Sequence, residues 1–155
     1  MGIGALTMHE IRIKNVKELD VFAKKIANGF CGGEVLGLVG DLGAGKTTFV
    51  QMLAKHLGVR DAVKSPTFIL MQVFTTTGAA KKRGVTQLCH VDAYRLKNKT
   101  ELDAIGFAEY AGTPGTVTVV EWADRVPEIH TFPTYQEITF DFLKDDGRVL
   151  RYFSS

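Results

Sequence analysis

The feature that most constrains the fold is an eight-residue segment, residues 40–47, that matches the pattern GxxxxGK[ST] in full. A short apolar run at residues 35–39 directly precedes it and is typical of a strand buried on both faces. A helical pattern follows at residues 47–57, and Gly58 stands where a left-handed helix cap favours glycine. Strand, glycine-rich loop and helix come in the order that a phosphate-binding loop requires. The segment therefore predicts an α/β fold of the P-loop NTPase type.

Each part of this loop is suited to holding phosphate groups. The glycines allow the backbone N–H groups to point inward, and the start of the following helix adds positive potential. A lysine supplies positive charge for the β and γ phosphates, and a threonine hydroxyl is placed to bind Mg²⁺. The alternative, a glycine-rich turn that binds nothing, is disfavoured by the flanking strand and helix. The predicted nucleotide-binding residues in this segment are Gly40, Asp41, Leu42, Gly43, Ala44, Gly45, Lys46, Thr47 and Thr48.

Two carboxylates follow predicted strands and are candidates for the metal and for orienting the attacking water. Asp92 follows residues 85–91, and Glu121 follows residues 117–120. Ligands of open α/β sheets bind at the carboxyl edge, so both are expected near the loop. Each could instead be a surface carboxylate at a strand end. Thr67 lies between the P-loop helix and the next strand, where a threonine can sense the γ-phosphate, although an ordinary turn is the alternative.

Two further helices are indicated. Asn15 is placed to cap a helix with an apolar face, and Glu18 is placed to return a hydrogen bond. A short helix is expected to begin at Thr100.

The remaining β-rich segments predict additional strands. Residues 68–75 and 85–91 are joined by a stretch whose basic run, residues 81–83, we interpret as a solvated loop. Residues 137–143 are expected to pair with residues 149–153 across an Asp-Asp-Gly turn. Together the segments predict a mixed, mostly parallel central sheet that is flanked by helices and has antiparallel additions.

Composition limits the other possibilities. A length of 155 residues predicts a single domain, residues 1–155, and a formal charge of +2 argues against a protein that coats nucleic acid. The two cysteines form no CxxC pair, so neither a disulfide framework nor a zinc site is expected. The chain lacks a signal-peptide pattern and a long apolar run, so a cytoplasmic protein with no membrane contact is expected.

Four blocks of sequence together resemble the TsaE family, also called YjeE. They occupy residues 40–49, 64–68, 90–96 and 120–125, and their order and spacing match over most of the chain. The resemblance implies an ATPase with ATP and Mg²⁺ as cofactors that works with TsaB and TsaD. That complex makes threonylcarbamoyladenosine in tRNAs that read codons beginning with adenine. TsaD would perform the transfer, and this chain would reset the complex and meet tRNA only through it.

The resemblance also implies roles for individual residues. Residues 43–48 would wrap the phosphates, and Arg148 is a further candidate for nucleotide contact. Trp122 lies in the fourth block, and it is either a site residue or a packed aromatic. The candidate metal ligands are Thr47, Glu121 and Asp92, of which Asp92 would act behind the metal or orient water. The candidate catalytic residues are Lys46, Thr67, Asp92 and Glu121.

Three other functions were weighed. A GTP-binding switch is disfavoured because residues 98–101, Asn-Lys-Thr-Glu, end in Glu and follow no buried strand, and residues 92–95 lack the glycine that senses the γ-phosphate. A small-molecule kinase needs a substrate pocket and a lid, for which one domain leaves little sequence. A nucleotide-binding regulatory subunit with little hydrolysis of its own stays open as an alternative.

Overall fold

Seven strands form one mixed sheet in the computed structural model, which describes residues 5–65 and 69–154. The strands are β1 (Thr7–Ile13), β2 (Val35–Gly40), β3 (Met71–Thr75), β4 (Gln87–Asp92), β5 (Thr116–Glu121), β6 (Tyr135–Phe142) and β7 (Arg148–Ser154). The α-helices are α1 (Val16–Gly29), α2 (Lys46–His56), α3 (Gly78–Lys82) and α4 (Lys99–Ala104). Short 3₁₀ segments occupy Phe107–Glu109, Ala123–Arg125 and Pro127–Thr131.

The strand order across the sheet is β1-β7-β6-β2-β5-β4-β3. The four central strands, β6, β2, β5 and β4, run parallel to one another. Antiparallel pairs extend the sheet on both sides, β6–β7 and β7–β1 on one side and β4–β3 on the other. The predicted α/β architecture, a parallel centre with antiparallel additions, is confirmed.

The sheet has a hydrophobic core on each face, which explains the apolar sequence of its central strands. Helices α1 and α2 supply Phe22, Phe49 and Leu53 to one core, where Phe49 lies 5.7 Å from the Phe140 ring on β6. Helix α4 and the 3₁₀ segments cover the other face, where Leu102 packs with residues of β4 and β5. The two cores hold the carboxyl ends of the parallel strands in fixed positions around the loop after β2.

The start of α1 is capped as expected, with one difference. The Glu18 backbone N–H donates to the Asn15 side chain at 3.0 Å. The Glu18 carboxylate accepts from the backbone N–H of Lys14 at 2.7 Å, one residue before the expected position. Helix α4 begins in the same way, because Glu101 N–H donates to the Asn98 side chain at 3.0 Å. These caps fix where the chain enters both helices.

Three local features differ from the sequence predictions. Strand β1 was not predicted, because it is an edge strand whose residues are mostly exposed and show little hydrophobic alternation. Strand β3 begins later than expected, at Met71, because Leu70 before it has a positive φ of 68°. Residues 81–83, expected to form a solvated loop, are only partly so: Lys81 and Lys82 are exposed but belong to the last turn of the short helix α3. Arg83 caps that helix, and its guanidinium donates to the carbonyl oxygen of Ala27 at 3.0 Å.

The described part of the chain, residues 5–65 and 69–154, contains no helix with both the length and the apolar character to cross a membrane.

Candidate functional site

The loop between β2 and α2 has the glycine requirements that a phosphate cradle imposes. Gly43 and Gly45 adopt φ values of 79° and 107°, a region that residues with side chains rarely occupy. At Gly40 the reason is space, because a Cβ there would lie 2.6 Å from the Phe140 carbonyl oxygen on β6. Backbone shape and close strand packing therefore both fix the loop at the edge of the sheet.

The Lys46 side chain is folded back onto the loop that carries it. Its amine donates to the carbonyl oxygens of Gly40 and Asp41, and the residue is only 5% exposed. Burial lowers the pKa of Lys46, and nearby carboxylates, Glu121 first among them, oppose that shift. Among the described residues, no carboxylate oxygen lies within 4.0 Å of this amine. Its charge is thus available to an anionic ligand.

Trp122 lies against this lysine. The Lys46 amine is 4.0 Å from the centre of the indole ring, within the range of a cation–π interaction. Trp122 follows β5 directly and has a positive φ of 59°, an unusual backbone conformation for a bulky residue. Its ring also packs 5.0 Å from that of Tyr94, above which the Arg125 guanidinium lies at 4.8 Å. Trp122 is therefore a residue of the site as well as a packed aromatic.

Glu121 at the end of β5 is bonded at both carboxylate oxygens. The Thr47 hydroxyl donates to Oε1 at 2.7 Å, and the His90 ring nitrogen Nε2 lies 2.6 Å from Oε2. Glu121 is 3% exposed and His90 is fully buried. A buried carboxylate needs such partners, because leaving it unpaired would be costly.

Asp92 lies beside Glu121 at the same edge of the sheet, since the two residues are directly paired in the parallel β4–β5 register. Its Oδ1 accepts the backbone N–H of Tyr94 at 2.9 Å, and its Oδ2 accepts the Ser65 hydroxyl at 3.3 Å. Both oxygens of Asp92 therefore already accept hydrogen bonds from the chain. Both oxygens of Glu121 are bonded as well, but Glu121 is the carboxylate that is hydrogen-bonded to the Thr47 hydroxyl, so it is the stronger candidate for a metal ligand shared with that hydroxyl.

The predicted residues meet around a cavity of about 320 Å³ in front of the loop, here called the P-loop cavity. Its lining includes the predicted residues Lys46, Thr47, Thr48, Asp92 and Glu121. Asp41 contributes its carbonyl oxygen to Lys46, and Leu42 stands 85% exposed at the rim of the cavity. Thr67, predicted as the switch threonine, lies outside the described residues.

A second cavity of about 300 Å³, here called the α1 cavity, adjoins the first on the other side of the loop. Asn15, Val16 and Leu19 from the start of α1 line it together with Ala44 and Arg148. Gly43, Gly45 and Thr48 border both cavities, so a single extended ligand can occupy the two.

Arg148 holds the P-loop by its main chain. Its guanidinium donates to the carbonyl oxygens of Ala44 at 3.2 Å and Gly43 at 3.3 Å. It also donates to Asp146 and Gly147 in the β6–β7 turn, at 2.7 Å and 3.0 Å. The residue thus ties the turn to the loop while it lines the α1 cavity.

A larger cavity, of about 590 Å³, lies where β6 begins and contains none of the predicted site residues. Tyr135, Glu137 and His130 line it, and the Tyr135 hydroxyl donates to Glu137 at 2.6 Å. Burial, together with the carboxylate of Glu137, raises the pKa of Tyr135 far above its ordinary value. The cavity is at the amino end of the parallel strands, opposite the edge where α/β folds bind ligands.

The donor set around the P-loop cavity fits Mg²⁺ and a polyphosphate. Mg²⁺ prefers oxygen ligands and is usually held by one or two carboxylates together with phosphate oxygens. Thr47 and Glu121 would hold the metal, and Asp92, which is paired with Glu121 in the sheet, would lie next to them without binding the metal directly. No group of three or more His, Cys, Asp or Glu side chains that could hold a metal is found in the described ranges.

Sequence reasoning missed His90 as a member of the site. The signal was present in the alternation of β4: His90, two residues before Asp92, lies on the same face of the strand. Its contact with Glu121 depends on the pairing of β4 with β5, which the sequence did not reveal.

Comparison with known proteins places the chain in a family. The family model described as threonylcarbamoyl adenosine biosynthesis protein TsaE matches residues 13–150. The tRNA threonylcarbamoyladenosine biosynthesis protein TsaE of Bacillus subtilis is 39% identical over 117 residues, which are 76% of this chain and 68% of that protein. The protein of the same description from Rickettsia prowazekii is 32% identical over 143 residues, or 92% and 91% of the two chains.

A solved structure agrees with the sequence comparisons. The crystal structure of YdiB from Bacillus subtilis superposes with a TM-score of 0.73 at 30% identity, covering 97% of this chain and 87% of that one. The matched range, residues 13–150, includes the P-loop, Asp92, Glu121 and Arg148. The chain therefore belongs to the TsaE family of threonylcarbamoyl adenosine biosynthesis proteins.

Proposed function

We propose that this chain is an Mg²⁺-dependent ATPase that serves tRNA threonylcarbamoyladenosine biosynthesis together with TsaB and TsaD. The observation that carries the proposal is the arrangement of Lys46, Thr47 and Glu121 around one cavity at the carboxyl edge of the sheet. Positive charge for phosphate, a hydroxyl and a carboxylate for a metal are thereby combined in a loop shaped to hold phosphate. Membership of the TsaE family supports the role in threonylcarbamoyladenosine biosynthesis. The residues around the cavity support Mg²⁺-dependent hydrolysis of ATP.

The roles of the residues follow from their contacts. The backbone N–H groups of residues 43–48 would bind the phosphate oxygens, and Lys46 would exchange its carbonyl partners for the β and γ phosphates. Thr47 and Glu121 would hold Mg²⁺, which neutralises charge that develops on the transferred phosphoryl group. Asp92, which is held by hydrogen bonds from Ser65 and Tyr94, would orient the attacking water. Thr67 would complete the site as a sensor of the γ-phosphate.

The nucleoside would occupy the α1 cavity. That cavity adjoins the phosphate loop and combines the apolar side chains of Val16 and Leu19 with the polar groups of Asn15 and Arg148. A planar base and a ribose need such a mixture of apolar and hydrogen-bonding surface. Arg148, predicted to contact the nucleotide, lies between this cavity and the loop and would act on both.

The proposed role within the pathway is to reset the complex after each transfer. TsaD would transfer the threonylcarbamoyl group to tRNAs that read codons beginning with adenine, and this chain would touch tRNA only through the complex. A regulatory subunit that binds nucleotide with little hydrolysis of its own is the second candidate, because the P-loop and Lys46 would serve nucleotide binding without turnover equally well. A small-molecule kinase is disfavoured because 155 residues leave little sequence for a substrate pocket and a closing lid.

Phosphate release by the purified chain tests the proposal. ATP and GTP are each supplied with Mg²⁺, in the presence and absence of TsaB and TsaD, to the wild type and to the Lys46→Ala variant. We expect ATP turnover that the two partners increase and that Lys46→Ala abolishes. A preference for GTP, or turnover that is unaffected by both the partners and the substitution, would refute it.

A second variant separates the metal from the phosphate site. Glu121→Ala is expected to reduce Mg²⁺-dependent hydrolysis more than nucleotide binding, because the P-loop backbone and Lys46 still hold the phosphates. Equal loss of binding and hydrolysis would contradict the metal role of Glu121. Binding without turnover in the wild type, even with both partners present, would favour the regulatory subunit.

A further inference from the structure

A line of polar side chains crosses the sheet behind the P-loop cavity, and its members on β5 and β4 are buried. It runs from Thr47 on α2 through Glu121 on β5 to His90 on β4, with contacts of 2.7 Å and 2.6 Å. The line is fully enclosed at its far end, since His90 has no exposed surface and Glu121 is 3% exposed. His90 lines none of the cavities described above, and its Nε2 is the ring nitrogen that meets Glu121.

The surroundings of the two ring nitrogens of His90 indicate which nitrogen carries the proton. His90 Nδ1 has no hydrogen-bond partner among the described residues. Glu121 Oε2 is an acceptor, so the 2.6 Å contact requires a proton on Nε2. A ring with its proton on Nε2 satisfies the carboxylate oxygen and leaves Nδ1 as the unpaired atom.

The strand on the far side continues the line. Gln72 on β3 is directly opposite His90 in the β3–β4 register, and its side-chain oxygen is also buried without a partner. Two unpaired buried polar atoms on directly opposed residues are unusual, because native structures pair almost all such groups. A buried histidine that meets Glu121 through one ring nitrogen while the other is unpaired among the described residues points to a function other than packing.

We propose that His90 is a positioning residue for the metal site, an inference that rests on the proposed Mg²⁺-ATP function. By donating from Nε2 to Oε2, it fixes the carboxylate plane of Glu121 so that Oε1 faces the Thr47 hydroxyl. Outer partners of this kind orient a metal-binding carboxylate, and their loss typically lowers metal affinity by about 10–100-fold. His90 touches neither nucleotide nor metal and acts only through Glu121.

Three variants test the inference. His90→Leu removes the donor, and His90→Gln keeps a side-chain N–H at a similar reach. Cys89→Ala is the matched control, because Cys89 is also fully buried on β4 and belongs to the core of the opposite face. Binding of the non-hydrolysable analogue adenylyl imidodiphosphate is measured by calorimetry for each variant, once with Mg²⁺ and once with EDTA, and thermal unfolding is recorded alongside.

The expected result is a selective loss. His90→Leu binds the analogue in EDTA as the wild type does, but loses about tenfold or more of the affinity that Mg²⁺ adds. His90→Gln recovers most of that gain, and Cys89→Ala retains all of it. If His90→Leu does not fold, His90→Asn replaces it, because its shorter amide cannot reach Oε2 as that of glutamine does.

Other results would overturn the inference. An equal loss in EDTA and in Mg²⁺, or the same loss in Cys89→Ala, would show that His90 supports only the fold. If Mg²⁺ adds no more affinity to His90→Gln than to His90→Leu, the hydrogen bond from Nε2 is unimportant. If Mg²⁺ adds no affinity even in the wild type, the proposed function itself fails at its metal, and the inference fails with it.

Discussion

Arg148 is predicted to control nucleotide affinity by stiffening the P-loop. The two hydrogen bonds from its guanidinium to Ala44 and Gly43 are long, at 3.2 Å and 3.3 Å, and the residue is half-buried. Bonds from a charged donor contribute about 1.5–3 kcal/mol when well formed, so we take about 1 kcal/mol for each of these. Losing both then costs up to about 2 kcal/mol, or roughly 30-fold in ATP affinity.

The variant to test this is Arg148→Met, which keeps an apolar stem against Phe142, whose ring lies 4.3 Å from the guanidinium carbon. Arg151→Met is the matched control on the same strand. Arg151 points to the other face and pairs with Glu10 at 3.0 Å and Asp141 at 2.6 Å, so its loss should leave ATP affinity unchanged.

Calorimetry with Mg²⁺-ATP and with Mg²⁺-triphosphate provides the assay for both arginine variants. Because those two carbonyls belong to the loop whose N–H groups would bind the phosphates, Arg148→Met should weaken both ligands. ATP should lose at least as much affinity as triphosphate, because Arg148 also lines the α1 cavity. A folded Arg148→Met variant that binds ATP as tightly as the wild type would refute the argument. A loss confined to ATP would mean that Arg148 acts on the nucleoside and not on the loop.

Two further predictions concern stability. Gly37→Ala should lower the free energy of unfolding by about 1–3 kcal/mol, because its Cβ would lie 2.1 Å from the Tyr135 hydroxyl oxygen. In urea unfolding, adding Tyr135→Phe should restore part of the lost free energy of unfolding. If it restores none, the clash with the hydroxyl is contradicted. Hydrogen bonds from His56 and then Lys55 lower the pKa of Asp20 below 3.8, so its stabilising effect is complete above that pH and lost as the pH falls through the lowered value. Asp20→Asn should therefore differ from the wild type in urea unfolding at neutral pH and converge with it in acid, and a constant difference would contradict this.

The sequence was most informative where the chemistry is local. The P-loop motif, its flanking strand and its helix are contiguous, so their pattern alone predicted the loop geometry and the place of Lys46 and Thr47. Asp92 and Glu121 were also predictable, because each follows a buried strand and parallel strands end at one edge.

The parts that escaped prediction depend on pairing between distant segments. The contact of His90 with Glu121 requires the register of β4 against β5. The hydrogen bonds from Arg148 to the loop carbonyls require β7 to pair with β6, which in turn pairs with β2 before the loop. The place of the Trp122 ring over Lys46 depends on a positive φ, which a sequence pattern does not indicate for a bulky residue. Strand β1 has too little alternation to be recognised, and its pairing with β7 creates it.

All the proposed roles depend on binding of Mg²⁺-ATP at the P-loop cavity. Calorimetric titration of ATP in the presence of Mg²⁺, with the wild type and with Lys46→Ala, measures this binding. We expect one ATP per chain for the wild type and a large loss of affinity for a Lys46→Ala variant that still unfolds cooperatively. Wild-type affinity in that variant, or no binding of ATP by the wild type, would contradict it.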